Sequence, residues 1–147
     1  MSYSTEPARP EDLPAALELL RRALLPEHGV KDGFGRYLVV RDASRLVGLA
    51  GLEQHGAEAL LRSVVVDAQY RGEGIGRALL DGAYELARRD GVARLYLLTT
   101  TARDWFERAG FSDCPRDQAP KAIRGSWEFQ QGCPKSAAFM WREVPAA

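Results

Sequence analysis

The sequence predicts a mixed α/β domain with a largely antiparallel central sheet and flanking helices, and three observations predict it. Three successive apolar runs, "RYLVVRD", "RLVGLAGLEQ" and "EALLRSVVVD", are separated by the turn-like "DASR" and "HGAE" and read as an antiparallel meander. A segment before the meander and another after it repeat apolar residues at helical spacing. Between the third run and the second helix lies "DAQYRGEGIGRALL", with glycines at 72, 74 and 76.

The elements follow in order. "YSTEP" is a short strand. "RPEDLPAALELLRRALL" is a helix on which Leu13, Leu17, Leu20 and Leu24 recur, with acids in its first turn. "PEHGVKDGFG" interrupts the pattern with Pro26 and three glycines and reads as a loop or a short irregular helix. After the meander and the glycine loop, Ile75, Leu79, Leu80, Ala83, Leu86 and Ala87 share one helical face, and Gly91 suits the end of that helix. "ARLYLLTT" is a buried strand, "ARDWFERAGF" a short helix closed by Gly110, and "SAAFMWREV" a last strand in a less regular tail.

Composition narrows the function. With 147 residues, 46% of them hydrophobic, the chain is expected to form one domain over residues 1–147. Twenty basic residues balance twenty acidic ones, which argues against a nucleic-acid partner. No apolar run is long enough to span a bilayer and "MSYSTEPARPEDL" lacks a signal-peptide core, so a soluble cytoplasmic protein with no membrane partner is expected. Cys114 and Cys133 make neither a disulfide framework nor a zinc motif, and no metal is expected.

The glycine loop is neither of two familiar phosphate loops. No Gly-Lys-[Ser/Thr] ending follows Gly76, and the Gly-x-Gly-x-x-Gly fingerprint fails at Arg77 and at Leu79. The chemistry still favours an anion. Gly72, Gly74 and Gly76 let the backbone approach a ligand, and free N–H groups at the helix start point toward it with the helix dipole. Arg71 and Arg77 can add charge-assisted bonds, which suits a pyrophosphate. The competing reading is a tight turn with solvated arginines.

"RGEGIG" after a strand, followed by a helix, a strand and "ARDWFERAGF", resembles the GNAT family of acyl-CoA N-acyltransferases. The resemblance covers residues 3–143 in element order. It implies a GNAT-type sheet with splayed strands, with acetyl-CoA as cosubstrate. Val64, Val65 and Val66 would line the pantetheine arm, and Arg71, Gly72, Glu73, Gly74, Ile75, Gly76 and Arg77 would hold the pyrophosphate. The second half, with "APKAIRGSWEF" and "CPKSAAFM", looks like the small GNAT proteins associated with bacterial arsenic resistance. That likeness implies a small amino-acid-like acceptor, such as a glutamate analogue or arsenical. In such folds the last strands also pair across two copies, which would make a homodimer.

The catalytic residues are less plainly written. The family motif puts Phe106 where many relatives have a tyrosine that protonates the CoA sulfur, and a phenyl ring has no proton to give. Thr99, Thr100 and Thr101 offer hydroxyls near the thioester, and Thr100 is assigned to the cosubstrate. Glu53, at the end of the second run, is the candidate base acting through an ordered water; Glu58 is a second carboxylate nearby. Glu73 either turns away from a pyrophosphate or reaches over the acceptor. If Val64 and Val66 bury one face of their strand, Arg62 shares that face by period two and requires a carboxylate, from the protein or from the substrate. With Ser63 beside it, and Arg124 and Ser126 in "AIRGS", it is a candidate reader of an acceptor anion. The resemblance also puts Phe34 in the region covering the acceptor. Against an N-acetyltransferase of small amines stand two other readings: a protein or peptide N-acetyltransferase, and a CoA-binding sensor without catalysis, suggested by Phe106.

Overall fold

The computed structural model describes residues 3–147. Seven strands, β1 (Glu6–Pro7), β2 (Tyr37–Asp42), β3 (Arg45–His55), β4 (Glu58–Val66), β5 (Arg94–Thr99), β6 (Ser112–Asp113) and β7 (Ala138–Glu143), form a sheet in the order β1-β2-β3-β4-β5-β7-β6. Among the described residues four α-helices accompany them: α1 (Leu13–Arg22), α2 (Ile75–Arg89), α3 (Arg103–Arg108) and α4 (Lys121–Arg124). The sheet is largely antiparallel, β4 with β5 being parallel. The mixed α/β class and the meander read from the sequence are therefore correct. The chain gathers into two compact units, residues 3–53 with 61–86, and 54–60 with 87–147.

In the first unit, α1 starts where Pro14 can stand without a donor, in its first turn. Ahead of it, Asp12 accepts the Arg9 N–H at 2.8 Å and a two-pronged bond from Arg41, at 2.8 and 2.6 Å. Arg41 also pairs with Glu6. Helix α1 buries Ala16, Leu19 and Leu20 against Val30, Phe34, Tyr37, Val39, Leu49 and Val65. Leu24 departs from the expected helical stripe. The helix stops before it, Leu24 takes a left-handed φ of 57°, and its side chain is 91% exposed. Leu25 closes the turn by donating to the Leu20 carbonyl at 2.9 Å. On the other cluster of this unit, Ile75 and Leu79 of α2 pack on Val40, Val47 and Ala50, with Val64 and Val66 against them.

In the second unit, the pairing of β4 with β5 takes in Glu58, Ala59 and Leu60, opposite Arg94, Leu95 and Tyr96. β5 then pairs along its length with β7, Arg94 opposite Glu143 and Thr99 opposite Ala138. Leu60, Tyr96, Ala119, Ile123 and Phe139 form its core, where Tyr96 stacks on Phe139 with ring centroids 5.6 Å apart. The tail is more ordered than the sequence suggests. β6 lies on β7, and α4 inserts Ile123, with no accessible surface, into the core.

Candidate active site

The glycine loop belongs to the first unit, and the residues before it fix its base. Asp67 donates its N–H to the Val47 carbonyl, its Oδ1 accepts the Gln69 N–H at 2.9 Å, and Arg45 pairs with its Oδ2 at 2.9 Å. The Gln69 N–H, and then Arg45, hold the Asp67 carboxyl below the usual carboxylate range against the effect of burial. Tyr70 donates to Asp42 at 2.7 Å and lies under the Arg45 guanidinium. Beyond this base, Gly72 and Gly74 take φ of +83° and +87°, a region that costs other residues about 1–2 kcal/mol. A Cβ at either would meet nothing within 4 Å, so both face open space. The Gly74 carbonyl accepts the Ala78 N–H at 3.1 Å and opens the fifteen-residue α2. The N–H groups of Ile75, Gly76 and Arg77 consequently have no acceptor within the helix.

The side chains around the loop divide the labour. Ile75, 1% exposed, belongs to the core and offers only its backbone to a ligand. Arg77 pairs with Asp81 one turn on, at 3.1 Å, with both side chains more than half exposed. Glu73 turns away from the loop, its Oε1 accepting the Tyr3 hydroxyl at 2.7 Å. A cavity of about 200 Å³ lies beside the loop, walled by Leu19 of α1 and Ala23 just beyond it, by Val65 and Val66, and by Arg22, Arg45 and Arg71.

Upstream in the same unit, β4 holds a left-handed residue. Ser63 has φ 58° in mid-strand, a left-handed, bulge-like departure from extended strand geometry. This corrects the expected alternation. Val64 and Val66 do share a face, against Ile75 and Leu79, but Arg62 does not join them. Its Nη2 donates to the His28 carbonyl at 2.6 Å, beside the segment whose Val30 belongs to the α1 cluster. Arg62 Nη1 also faces Glu53 Oε1 at 3.5 Å, and Nε reaches Ser63 Oγ at 3.3 Å. The Arg62 side chain is 7% exposed and that of Glu53 30%.

The first unit therefore brings Glu53, Arg62 and Ser63 together, and adds two residues that sequence reasoning passed over. Tyr37 shares a 2.8 Å hydrogen bond with Ser63 Oγ, and its ring lies 5.4 Å from Phe34. The signal was Gly51. It pairs opposite Tyr37, and a Cβ there would stand 2.3 Å from the tyrosine ring, so the glycine makes room for it. The second newcomer is His28, which offers a backbone carbonyl and left no trace in the sequence.

The second unit holds the remaining candidates. Thr99 Oγ1 accepts the Ala102 N–H at 3.0 Å before α3, and Thr100 is exposed. Phe106 is 6% exposed and meets Trp105 and Phe111 edge to face. Glu58 pairs with Arg94 at 3.1 Å and accepts the Tyr96 hydroxyl at 3.4 Å. Arg124 donates to the Asp117 and Ala119 carbonyls, and Ser126 Oγ bridges the Ile123 carbonyl and the Phe129 N–H. Both thus stitch the segment around α4. Among the described residues no group of three or more His, Cys, Asp or Glu could hold a metal ion, and no helix is long and apolar enough to cross a membrane.

Comparisons with known proteins agree with this geometry. Residues 33–113, more than half of the chain, match the family described as an acetyltransferase (GNAT) domain. The amino-acid acetyltransferase of Mannheimia succiniciproducens is 26% identical over 132 residues, covering 82% of this chain and 30% of that protein. The chain thus spans under a third of that relative's length. Among solved structures, N-acetylglutamate synthase from Neisseria gonorrhoeae, complexed with coenzyme A and N-acetyl-glutamate, is similar at a TM-score of 0.87 and 21% identity. That match covers 99% of this chain and 36% of the other. The ribosomal-protein-S18-alanine N-acetyltransferase from Escherichia coli gives a TM-score of 0.72 at 23% identity, covering 99% and 96%. At such identities the structural likeness carries the fold.

Proposed function

The chain belongs to the GNAT acetyltransferase domain family, and from that membership we propose that it moves the acetyl group of acetyl-CoA onto the amine of a small, amino-acid-like acceptor. The observation that carries the reading is the loop at the start of α2. Two glycines in left-handed conformations face open space there, beside first-turn N–H groups and the Arg71 side chain. A pyrophosphate fits such a cradle by charge and by hydrogen-bond count. Val64, Val65 and Val66 lead up to it and suit the apolar arm of the cosubstrate.

Acetyl-CoA supplies an acetyl group already activated as a thioester, so the chain has three tasks. It must hold the acceptor amine, relieve it of a proton, and give the carbonyl oxygen a donor as charge develops there. The bulge at Ser63 is the candidate donor region, because a left-handed residue in mid-strand interrupts regular pairing and leaves a peptide N–H for the carbonyl oxygen. Glu53 is the candidate base through a water, being partly exposed and oriented by Arg62. Arg62 reads an acceptor carboxylate by sharing its guanidinium between that group and Glu53. Phe34 and Tyr37 wall this end. With phenylalanine at position 106 the CoA sulfur leaves as thiolate, which a thiol pKa of about 8.5 permits.

In this reading residues 1–147 act as one acetyltransferase domain in the cytoplasm. The acceptor is a glutamate analogue, with an arsenical as the narrower candidate, and two copies pair through the last strands. The test is to incubate the protein with acetyl-CoA and a mixed amine panel and read the products by mass. The panel holds glutamate, glutamine, phosphinic and arsenic glutamate analogues, polyamines and peptides with free N-termini. Acetylation of a glutamate analogue supports the proposal. Acetylation of peptides alone replaces it with a protein N-acetyltransferase. Saturable acetyl-CoA binding with no product replaces it with a sensor, the reading that the hydroxyl-free ring of Phe106 favours.

A further inference from the structure

Glu73 presents a puzzle that the acetyl-CoA reading sharpens. It lies between Gly72 and Gly74, in a loop whose backbone and dipole favour an anion. A carboxylate on a side chain of that reach is itself such an anion. Released, it would swing toward the first-turn N–H groups of α2 and cap the helix from within, because negative charge at a helix N-terminus is stabilising. The loop would then carry its own competitor for the phosphate position.

The structure holds that carboxylate elsewhere. Tyr3 Oη donates to Glu73 Oε1 at 2.7 Å across seventy positions of sequence. The tyrosine is not a loose end. Its ring packs against the cluster of Val40, Val47, Ile75 and Leu79, so it rests on the same helix start that the loop opens. Two residues on, Thr5 lies so close to α2 that a Cβ at Gly82 would come within 2.6 Å of its hydroxyl. Next, Glu6 pairs opposite Val39 in β1, and Ala8 donates to the Tyr37 carbonyl at 2.9 Å. The strap from Tyr3 to Ala8 is therefore fixed to both α2 and β2, and it delivers one hydroxyl to the loop. The hydrogen bond to Glu73 also pushes the Tyr3 phenol up to about 12, so the donor stays protonated at every pH where an acetyltransferase would be assayed.

We infer that Tyr3 is a positioning residue for the cosubstrate loop: it holds the Glu73 carboxylate off the anion position and keeps the loop vacant for pyrophosphate. The inference rests on the acetyl-CoA reading above and goes beyond it. A residue remote in sequence sets the affinity of the loop, and any change to the N-terminal strap is felt there.

The experiment measures acetyl-CoA dissociation constants by calorimetry on the full chain, at low and at high salt, for four proteins: wild type, Tyr3→Phe, Glu73→Gln, and the double variant. Phenylalanine keeps the packed ring and removes only the hydroxyl. Tyr3→Phe should weaken binding about three- to fivefold at low salt, the size of a single charge at a helix N-terminus, and less at high salt. Glu73→Gln should bind as tightly as wild type or more so, and the double variant should recover wild-type affinity. Rescue by removing the charge distinguishes positioning from a bond that merely supports the fold, whose loss the second change would only repeat. Tyr3→Phe binding like wild type, or a double variant as weak as Tyr3→Phe, overturns the inference while the acetyl-CoA reading stands. A wild-type chain that binds no acetyl-CoA takes down both.

Discussion

Arg41 and Arg62 are both largely buried arginines of the first unit, one on β2 and one on β4, yet they are held in different ways. Arg41 is surrounded by carboxylates: Asp12 takes it in a two-pronged bond and Glu6 adds a second acid. Its guanidinium is shifted further up and the Asp12 carboxyl down, chiefly by their mutual hydrogen bonds. Arg62 instead meets a backbone carbonyl, a serine hydroxyl and, at 3.5 Å, a carboxylate that is 30% exposed. The first arrangement closes a charge off from water and locks β1, β2 and the start of α1 together. The second leaves carboxylate surface for water or substrate. In the proposed function Arg62 serves the acceptor site, and it then differs from the fold-building Arg41 less in burial than in how completely fixed acids consume it.

The sharpest way to break the comparison is to remove each guanidinium in turn. Arg41→Met leaves the Asp12 carboxylate, with 8% of its side chain exposed, without its paired guanidinium and with the Arg9 N–H as its hydrogen-bond donor. It should cost about 3 kcal/mol in urea unfolding, the range seen when one member of a buried pair is deleted. The loss should depend on pH in a defined direction. The folded pKa of Asp12 is depressed, so its contribution is present above the ordinary carboxylate value and disappears as pH falls through the folded value. The gap between wild type and Arg41→Met should therefore narrow below about pH 4. A gap that held constant into acid would mean that the pair does not supply the difference.

Arg62→Met should behave in the opposite sense. Glu53 and the His28 carbonyl can both turn to water, so unfolding should change by no more than about 1 kcal/mol. Acceptor kcat/KM should fall about 30- to 100-fold, the cost of losing one charged hydrogen bond to a bound anion, with the KM for acetyl-CoA little altered. If stability falls as far as in Arg41→Met and kcat/KM does not move, Arg62 is a second structural arginine and the acceptor pocket lies elsewhere.

These two residues also mark where sequence reading succeeds and where it stops. The loop was legible because a left-handed backbone leaves a compositional record: Gly72 and Gly74 stand where other residues would be strained. Helical faces were legible for a similar reason, since Ile75, Leu79, Leu80, Ala83, Leu86 and Ala87 are all buried as their spacing requires. Ser63 leaves no such record. A serine in the left-handed region looks like any serine in a β-rich run, so period two put Arg62 on the wrong face. Leu24 failed in the same way, a left-handed leucine read as one more turn of helix. Tyr37 and His28 join the site through tertiary packing and a backbone carbonyl, neither of which is written in local pattern. The α4 segment was missed because a four-residue helix is too short to show a period.

The loop gives a smaller test of the same distinction. Gly74→Ala introduces no clash, because nothing lies within 4 Å of the added carbon, yet it keeps a φ of +87° that alanine resists. The expected cost is about 1 kcal/mol, read either as lost stability or as a rise of roughly fivefold in the acetyl-CoA dissociation constant if the loop relaxes instead. A variant unchanged in both would mean that the loop tolerates another conformation and that its glycine is not required by backbone geometry.

The smallest effect lies at Ser63, where strain and hydrogen bonding act in opposite directions on one residue. Ser63→Ala removes the bonds to Tyr37 and Arg62 and keeps the left-handed strain that wild type already carries, so the lost bonds alone lower its stability. Ser63→Gly removes the same bonds and relieves the strain, which offsets the loss. The glycine variant should therefore unfold about 1 kcal/mol later than the alanine variant and close to wild type, measured as urea midpoints with unchanged slopes. In acetyl transfer the order should hold only if the bulge survives. Glycine adopts that conformation readily but does not enforce it, and without the Tyr37 hydrogen bond the strand is free to return to regular pairing. A glycine variant that is stable yet slow would show that the bulge serves the reaction and that Ser63, through Tyr37, keeps it in place against the strand's own preference.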